Sequence, residues 1–473
     1  MNDKKVLKAG VGYTIGNYLL KGLGFLTIPI FSRLMSTTEY GMYNIFLSYE
    51  SILFILIGLA LHSSYKNAKY KYESDGTYFN YVSSTIVFII LSFIVWLAAA
   101  NIFNSFISDI TELSRLSINL LVIYSFSNAI IICFNSDAGL RYDYKSFLTI
   151  SGINAVSNII LSIVLMLTIY KDDRYIARTI GTVLPISVIA IFIVVKFIHR
   201  APPKNTVDNL KWGIKYSLPI VPHGISQVIL SQFDRIMIQK MISYSQAVIY
   251  SFAYNINTIV TVTTSSLDSV WCPWFYEKMH SKDYVSIRKV SSIYTILVAF
   301  FCACLILVSP ELIKILGSAE YYDAIYCVIP IVAGGFFAFI YNIPASVEYY
   351  YEKTKFIALG TMAAAIINIV LNFVFIKIYG YVAAAYTTLV TYILYFVFHY
   401  YLARKIHKSY LFSNIVVVSS ALSVVGIMFL ARIMINLWIV RWLAAIILFI
   451  VALIFEERSM SVIRNFIKKK RGK

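Results

Sequence analysis

Charge is what this sequence has least of: Asp, Glu, Lys and Arg together make up 14% of its 473 residues, against about 25% in soluble globular proteins. A chain so poor in charge cannot cover a water-facing surface. Its 59% hydrophobic residues and mean hydropathy of +0.74 place it in a membrane. Acidic residues are the scarcer kind, 23 against 41 Lys and Arg, which leaves a formal charge of +18. In so apolar a chain that excess is first explained by basic cytoplasmic loops, and no nucleic-acid partner is expected. Cysteine is also sparse. Cys133, Cys272, Cys302, Cys304 and Cys327 lie in or beside apolar runs without metal-ligand spacing, so neither a disulfide framework nor a metal centre is expected. No GxxxxGK[ST] stretch occurs, which removes a P-loop ATPase, and no cofactor is expected. The connections between apolar runs are short, the longest about 20 residues, and leave no room for a soluble domain.

What the chain has is hydrophobic runs. Fourteen segments of spanning length stand at roughly 9–33, 41–64, 79–101, 116–138, 148–170, 179–198, 213–241, 245–270, 290–309, 324–346, 356–376, 381–403, 411–433 and 437–456. The basic opening "MNDKKVLKAG" leads into a run that carries Lys21 and has no small-residue cleavage site, so it reads as a retained first span. With the N-terminus cytoplasmic, the clusters around Lys4, Lys66, Lys145, Lys204, Lys282, Lys353 and Lys405 and the tail "RNFIKKKRGK" all fall inside. The expectation is an all-α polytopic membrane protein, with about 14 transmembrane helices and both termini cytoplasmic. The basic tail should also favour anionic lipid headgroups.

A weak internal repeat organises these spans. "NSDAGLRYDYK" (135–145) aligns without gaps to "NIPASVEYYYE" (342–352), and at the same offset "STTEYGMY" (36–43) meets "SYSQAVIY" (243–250). Two six-helix lobes, 1–204 and 205–408, are expected as parallel repeats, followed by an extra helix pair at 409–456 and a basic tail at 457–473. An even number of spans per repeat puts the symmetry axis along the membrane normal, as in transporters that bind substrate near the midplane between halves.

Each repeat opens on helices striped with polar groups. The seventh run places His223, Gln227, Ser231 and Asp234 on one helical face, and the eighth has Tyr254, Thr258, Thr261, Ser265 and Asp268. In the first half Thr14, Asn17, Lys21 and Gly24 form one stripe, and Asn44, Ser48 and Ser51 beside Glu50 another. A charge at the centre of a spanning helix costs about 2.5–3.5 kcal/mol on insertion scales, so Lys21, Asp234 and Arg235 should face a cavity or a partner. For Asp234 and Arg235 a structural interhelical pair competes with a ligand role. Lys240 reads as an interfacial anchor. Lys21 has no carboxylate on its own helix, so either a phosphate or a residue such as Glu50 would answer its charge. Glu50, Asp137, Asp234 and Asp268 are the carboxylates available to carry a coupling proton or sodium ion, although Asp137 and Asp268 lie near inner span ends where water would reach them. Gly16, Gly22, Gly24 and Pro29 in the first run, and Pro219, Pro222 and Gly224 in the seventh, mark helices able to bend.

The stretches "GFLTIPIFSRLMSTTEYGMYNIFLSY" and "FDRIMIQKMISYSQAVIYSFAYNI" resemble bacterial polysaccharide-unit flippases, members of the multidrug, oligosaccharidyl-lipid and polysaccharide exporter superfamily. The resemblance covers essentially the whole chain. It implies a protein that is not an enzyme and that moves an oligosaccharide on a polyprenyl diphosphate from the inner to the outer leaflet by alternating access. On that analogy Lys21, Asn17, Arg235, Gln227 and Tyr254 would contact substrate, membrane lipids would hold the tail near the last two spans, and tyrosine rings would pack on sugars. A peptidoglycan-precursor flippase and a drug or cation antiporter of the same superfamily share the fold and remain as alternatives. The cations Lys21 and Arg235 speak against a cationic substrate, and the short outer connections against a polysaccharide polymerase or ligase.

Overall fold

A computed structural model describes the backbone of residues 3–72, 76–408 and 411–450, and the side chains of the same residues apart from 3–15, 17, 18, 21 and 269. All regular structure among them is helical. The first stretch runs α1 (Asp3–Leu34), α2 (Thr37–Gly58), α3 (Tyr65–Tyr72), α4 (Tyr78–Ile102), α5 (Asn104–Thr111), α6 (Arg115–Leu140), α7 (Tyr144–Leu167) and α8 (Arg174–Arg200). It continues with α9 (Thr206–Ser217), α10 (Ile220–Val228), a π turn (Ile229–Phe233), α11 (Asp234–Met241), α12 (Tyr244–His280) and α13 (Tyr284–Leu316). Then come α14 (Ile325–Ile340), α15 (Asn342–Tyr350), α16 (Thr354–Tyr379), α17 (Val382–Ile406), α18 (Asn414–Ile433) and α19 (Trp438–Ile450).

Ten of the described helical segments are long and apolar enough to cross a membrane. The other expected runs coincide with α1, the broken series α9–α11, α12 and, as far as residue 450, α19; the expected run end 451–456 and tail 457–473 lie outside the described residues. Polar caps fix where the helices begin. Ser36 and Glu39 make a reciprocal capping box at α2, while Ser114, Asp143, Asp173 and Asp283 each accept from a first-turn backbone N–H at α6, α7, α8 and α13.

The described residues cluster into two compact units, 1–251 with 361–369, and 252–360 with 370–473. In the first, α6 packs against α2, α4 and α8, and α7 lies between α1 and α8. Residues 205–251 pack with this unit. Its interior is unusually hydroxylated: Ser64, Ser83, Ser84, Thr85, Ser125 and Thr179 are fully buried. Apart from that of Ser125, these hydroxyls bond within the bundle, as in Tyr65 Oη to Thr85 Oγ1 at 2.7 Å and Ser83 Oγ donating to the Ala201 carbonyl at 2.6 Å. Such small polar contacts are the glue of helices in lipid, where hydrophobicity alone does not bring helices together. Large apolar side chains instead point outward, among them Leu91, Val95, Ile160, Val188 and Phe192, each about half exposed or more. In the second unit α14 packs on α13 and α17, α13 on α18, and α15 on α17.

The helix pattern follows the repeat offset. Shifting by 207 residues carries the start of α2 from 37 to 244, the first residue of α12; it carries 78 to 285, one past the start of α13, and 174 to 381, one before α17. Thr38 and Ser245, separated by this offset of 207, share a hydrogen bond at 3.4 Å. Beside them the two helix starts approach so closely that a Cβ on Gly41 would stand 2.6 Å from the Tyr244 carbonyl oxygen. Only glycine fits there.

Candidate functional site

The seventh expected span is built in pieces, and its sequence says why. Proline has no N–H and its ring clashes with the carbonyl four residues back, so α9 stops at Ser217 and α10 begins directly after Pro219. Further on, Ile229–Phe233 forms a π turn. A π turn inserts about one residue per turn and rotates everything after it by roughly a quarter turn. The expected face of His223, Gln227, Ser231 and Asp234 therefore does not continue unbroken: Gln227 is half-buried, whereas Asp234 turns inward and is 1% exposed. Turns of this kind recur at functional positions in membrane and soluble helices.

Asp234 accepts a hydrogen bond from the Tyr250 hydroxyl of α12 at 2.5 Å. Arg235, buried beside it, donates to the Ser231 carbonyl at 2.9 Å and to the Gln232 side chain. These contacts make Asp234 a tie between α11 and α12. Tyr250→Phe removes a hydrogen bond to a buried charged group, worth about 1.5–3 kcal/mol. The variant is expected to unfold in detergent at lower temperature than wild type, measured by thermal shift, with turnover per folded molecule little changed.

Lys240, expected as an interfacial anchor, is half of an ion pair: its Nζ lies 2.6 Å from Glu112 Oε1, and Gln239 donates to Glu112 Oε2 at 2.7 Å. Glu112 caps α5 in the left-handed conformation, φ 57°. Its carboxylate is held below the usual range, chiefly by the hydrogen bond from Lys240. The pair clasps the α5–α6 corner to the end of α11.

The remaining expected carboxylates have separate partners. Glu50, 8% exposed, accepts from Asn128 Nδ2 at 2.7 Å, joining α2 to α6. Asp137 is fully buried and paired with Arg141, at 2.5 and 2.8 Å, and also accepts from Tyr78 at 3.2 Å. The expectation of a solvated Asp137 is thus corrected, because Arg141 one turn on covers it. Asp268 is half-buried and accepts from Asn342 at 3.2 Å. Tyr254 is half-buried, and its carbonyl accepts from Thr258. Asn17 and Lys21 lie outside the residues whose side chains are described. The α1 backbone beside them is described: at Gly22 and Gly24 no heavy atom stands within 4 Å of where a Cβ would be, and Leu19, Leu23 and Leu26 are exposed. This part of α1 borders open space. Among the described residues no group of three or more His, Cys, Asp or Glu could hold a metal.

Three buried charged groups escaped the sequence reading. Arg178 of α8 donates to Asn158 at 2.5 Å and Ser162 at 2.8 Å on α7, and its guanidinium stacks on Phe31 of α1 and Tyr43 of α2. Arg441 of α19 pairs with Glu311 of α13. Glu348 of α15 pairs with His399 of α17. Apart from Asn158 and Ser162 on the preceding helix, the partners come from distant parts of the chain, a distance along the sequence that local periodicity does not report. The only available signal was a lone charged or imidazole residue in or beside an apolar run.

The family model described as polysaccharide biosynthesis protein matches residues 6–279. This chain belongs to the polysaccharide biosynthesis protein family. A curated relative, the Lsg locus protein 1 of Haemophilus influenzae, is 24% identical over 382 residues, covering 77% of this chain and 90% of its own length. The fold of this polysaccharide biosynthesis protein is similar to that of lipid II flippase MurJ in an inward closed conformation. That match has a TM-score of 0.69 at 16% identity and covers 95% of this chain and 99% of MurJ. An outward-facing multidrug resistance transporter of the MATE family is similar at a TM-score of 0.59 and 13% identity, over 85% of this chain and 95% of its own. A transporter from Pyrococcus furiosus, described as having reversed binding-pocket polarity, is similar at 0.53 and 15% identity over the same shares. The polysaccharide biosynthesis protein is therefore an all-helical, multi-pass membrane protein with the fold of the multidrug, oligosaccharidyl-lipid and polysaccharide exporter superfamily.

Proposed function

We propose that this chain is a flippase that carries a polyprenyl-diphosphate-linked oligosaccharide from the inner to the outer leaflet of a bacterial cytoplasmic membrane, for surface polysaccharide assembly. The observation that carries the reading is membership of the polysaccharide biosynthesis family over residues 6–279. The fold shared with the lipid II flippase supports it, since a lipid-linked glycan diphosphate is the same class of cargo.

The site assignment is built on cations. Lys21 is 13 residues from the end of α1 at Leu34, about 20 Å along the axis at 1.5 Å per residue, which sets it deep in a hydrocarbon core about 30 Å thick. In this reading Lys21 and Arg235 hold the diphosphate, Asn17 and Gln227 orient it, and Tyr254 packs on sugar. Nothing covalent happens. The halves 1–204 and 205–408 act as parallel repeats that alternate access, with both termini cytoplasmic and residues 409–456 as an added helix pair. The contact of Thr38 with Ser245, its equivalent 207 residues on, supports an axis between such halves. The Glu112–Lys240 clasp closes the outer end and must part when the site opens outward.

A peptidoglycan-precursor flippase is the second reading, favoured by the TM-score of 0.69 to MurJ. Deletion of the gene separates the two. Surface-glycan transport predicts lipid-linked oligosaccharide accumulating on the inner leaflet of viable cells that lack the glycan outside. Lysis with arrested wall synthesis would favour the second reading.

A further inference from the structure

Glu348 and His399 pair at 2.6 Å, Oε1 to Nδ1, with both side chains fully buried. Their outer atoms, Glu348 Oε2 and His399 Nε2, are also buried and have no hydrogen-bond partner. Two orphaned polar atoms in one buried pair are costly, at about 1–3 kcal/mol each. We propose that Glu348 and His399 form a proton-binding site, through which the C-terminal unit couples translocation to a proton gradient. The coupling rests on the flippase reading; the binding does not.

The argument is one of charge. With neutral imidazole and ionised carboxylate the pair carries a net charge of −1, and a lone buried charge costs several kcal/mol. One added proton, on either partner, makes the pair neutral. Among the described residues, the rings that touch the imidazole bring no cation. Tyr341 joins α14 to α15, with its ring 5.8 Å from the imidazole; Tyr395 comes from α17 itself at 4.6 Å, and Tyr349 follows Glu348 on α15. From α12 the titratable groups are Asp268, which is held by Asn342, six residues before Glu348, and Cys272 and Tyr276, which lie beside Tyr349. Lys353, Lys355, Arg404 and Lys405 at this end of the bundle are all exposed. The proton is the counter-charge.

The pair is also tied to helix packing. On the imidazole's far side α16 presents Gly360, where a Cβ would lie 3.0 Å from His399 Nε2 and 2.8 Å from the Phe398 ring. Nε2 is thus sealed against the α16 helix, and a shift of α16 away from α17 would open it to water. A protonated, neutral pair suits the sealed packing, and a deprotonated one favours a hydrated arrangement. A ligand with such a difference in affinity shifts the equilibrium between them, and the coupling is reciprocal. The Glu112–Lys240 clasp does not confuse the test, because Glu112 is held ionised below the usual carboxylate range.

The experiment has two arms. In the first, protein with 15N-labelled histidine in lipid nanodiscs is titrated from about pH 5 to 8, the range in which histidine ordinarily changes charge. The His399 signal is assigned by its loss in His399→Gln. It should titrate with wild-type Glu348 and move its midpoint by about one pH unit or more in Glu348→Gln. Glu348→Asp, which keeps the carboxylate, serves as the second variant if Glu348→Gln does not fold. A His399 signal indifferent both to pH and to Glu348 overturns the site. In the second arm, vesicles under an imposed pH gradient should flip lipid-linked oligosaccharide about tenfold faster than vesicles without one. His399→Gln and Glu348→Gln should lose that acceleration and keep the gradient-free rate. Wild-type flipping that ignores the gradient overturns the coupling and leaves the flippase reading intact. A titrating His399 in a protein that flips nothing upholds the site and overturns the flippase reading.

Discussion

Glu311→Leu should accumulate several-fold below wild type in membranes and should lose the anchor of its last described helix. Arg441 is 1% exposed and donates to both Glu311 oxygens, at 2.9 and 2.5 Å, and to the carbonyls of Leu307, Met434 and Ile435 at 2.6–3.1 Å. Removing the carboxylate strands a buried guanidinium, a change that costs about 3–5 kcal/mol when one partner of a buried pair is lost. The carbonyls cannot neutralise the charge. Replacing both partners by apolar residues of similar size, Glu311→Leu with Arg441→Met, is expected to recover most of the accumulation, because neither charge is then left alone. Quantitative immunoblots and detergent melting curves of the single and double variants test this. A single variant as abundant as wild type would mean that the pair contributes nothing to holding α19 on α13.

Lys21→Ala should abolish translocation while the protein still inserts and accumulates. An ammonium placed deep in a span is expensive to insert, by about 2.5–3.5 kcal/mol, so its removal does not harm insertion. What is lost is the charge that holds a diphosphate. Lys21→Arg keeps the charge and should retain part of the activity, although a guanidinium presents a wider donor array than an ammonium. Flipping at the wild-type rate by Lys21→Ala would remove Lys21 from the site.

The fold was legible because a bilayer imposes one length on apolar segments and one demand, satisfied backbone, on whatever crosses it. Helices accordingly stand at each expected run over the described residues. At the repeat offset, Ser36 and Ser243 stand just before Thr37 and Tyr244, the first residues of α2 and α12. The site was less legible, for two physical reasons. Face assignments assume an unbroken 3.6-residue period, and the π turn at Ile229–Phe233 rotates Asp234 away from the stripe that leads to it. Pairing is non-local: Glu112 with Lys240, Glu50 with Asn128 and Glu348 with His399 are joined only by the way the helices pack. A single charge in an apolar run announces that it has a partner and does not say which.

The most direct measurement is a leaflet assay: purified protein is reconstituted into vesicles that carry a polyprenyl-diphosphate oligosaccharide on one leaflet, and its arrival on the other is followed with a glycan-cleaving enzyme confined to that side. Protein-dependent transfer of the diphosphate-linked glycan, absent in Lys21→Ala vesicles of equal protein content, is the predicted result. Transfer no faster than in protein-free vesicles, with the protein folded and a lipid carrying its own producer's glycan supplied, would contradict the account.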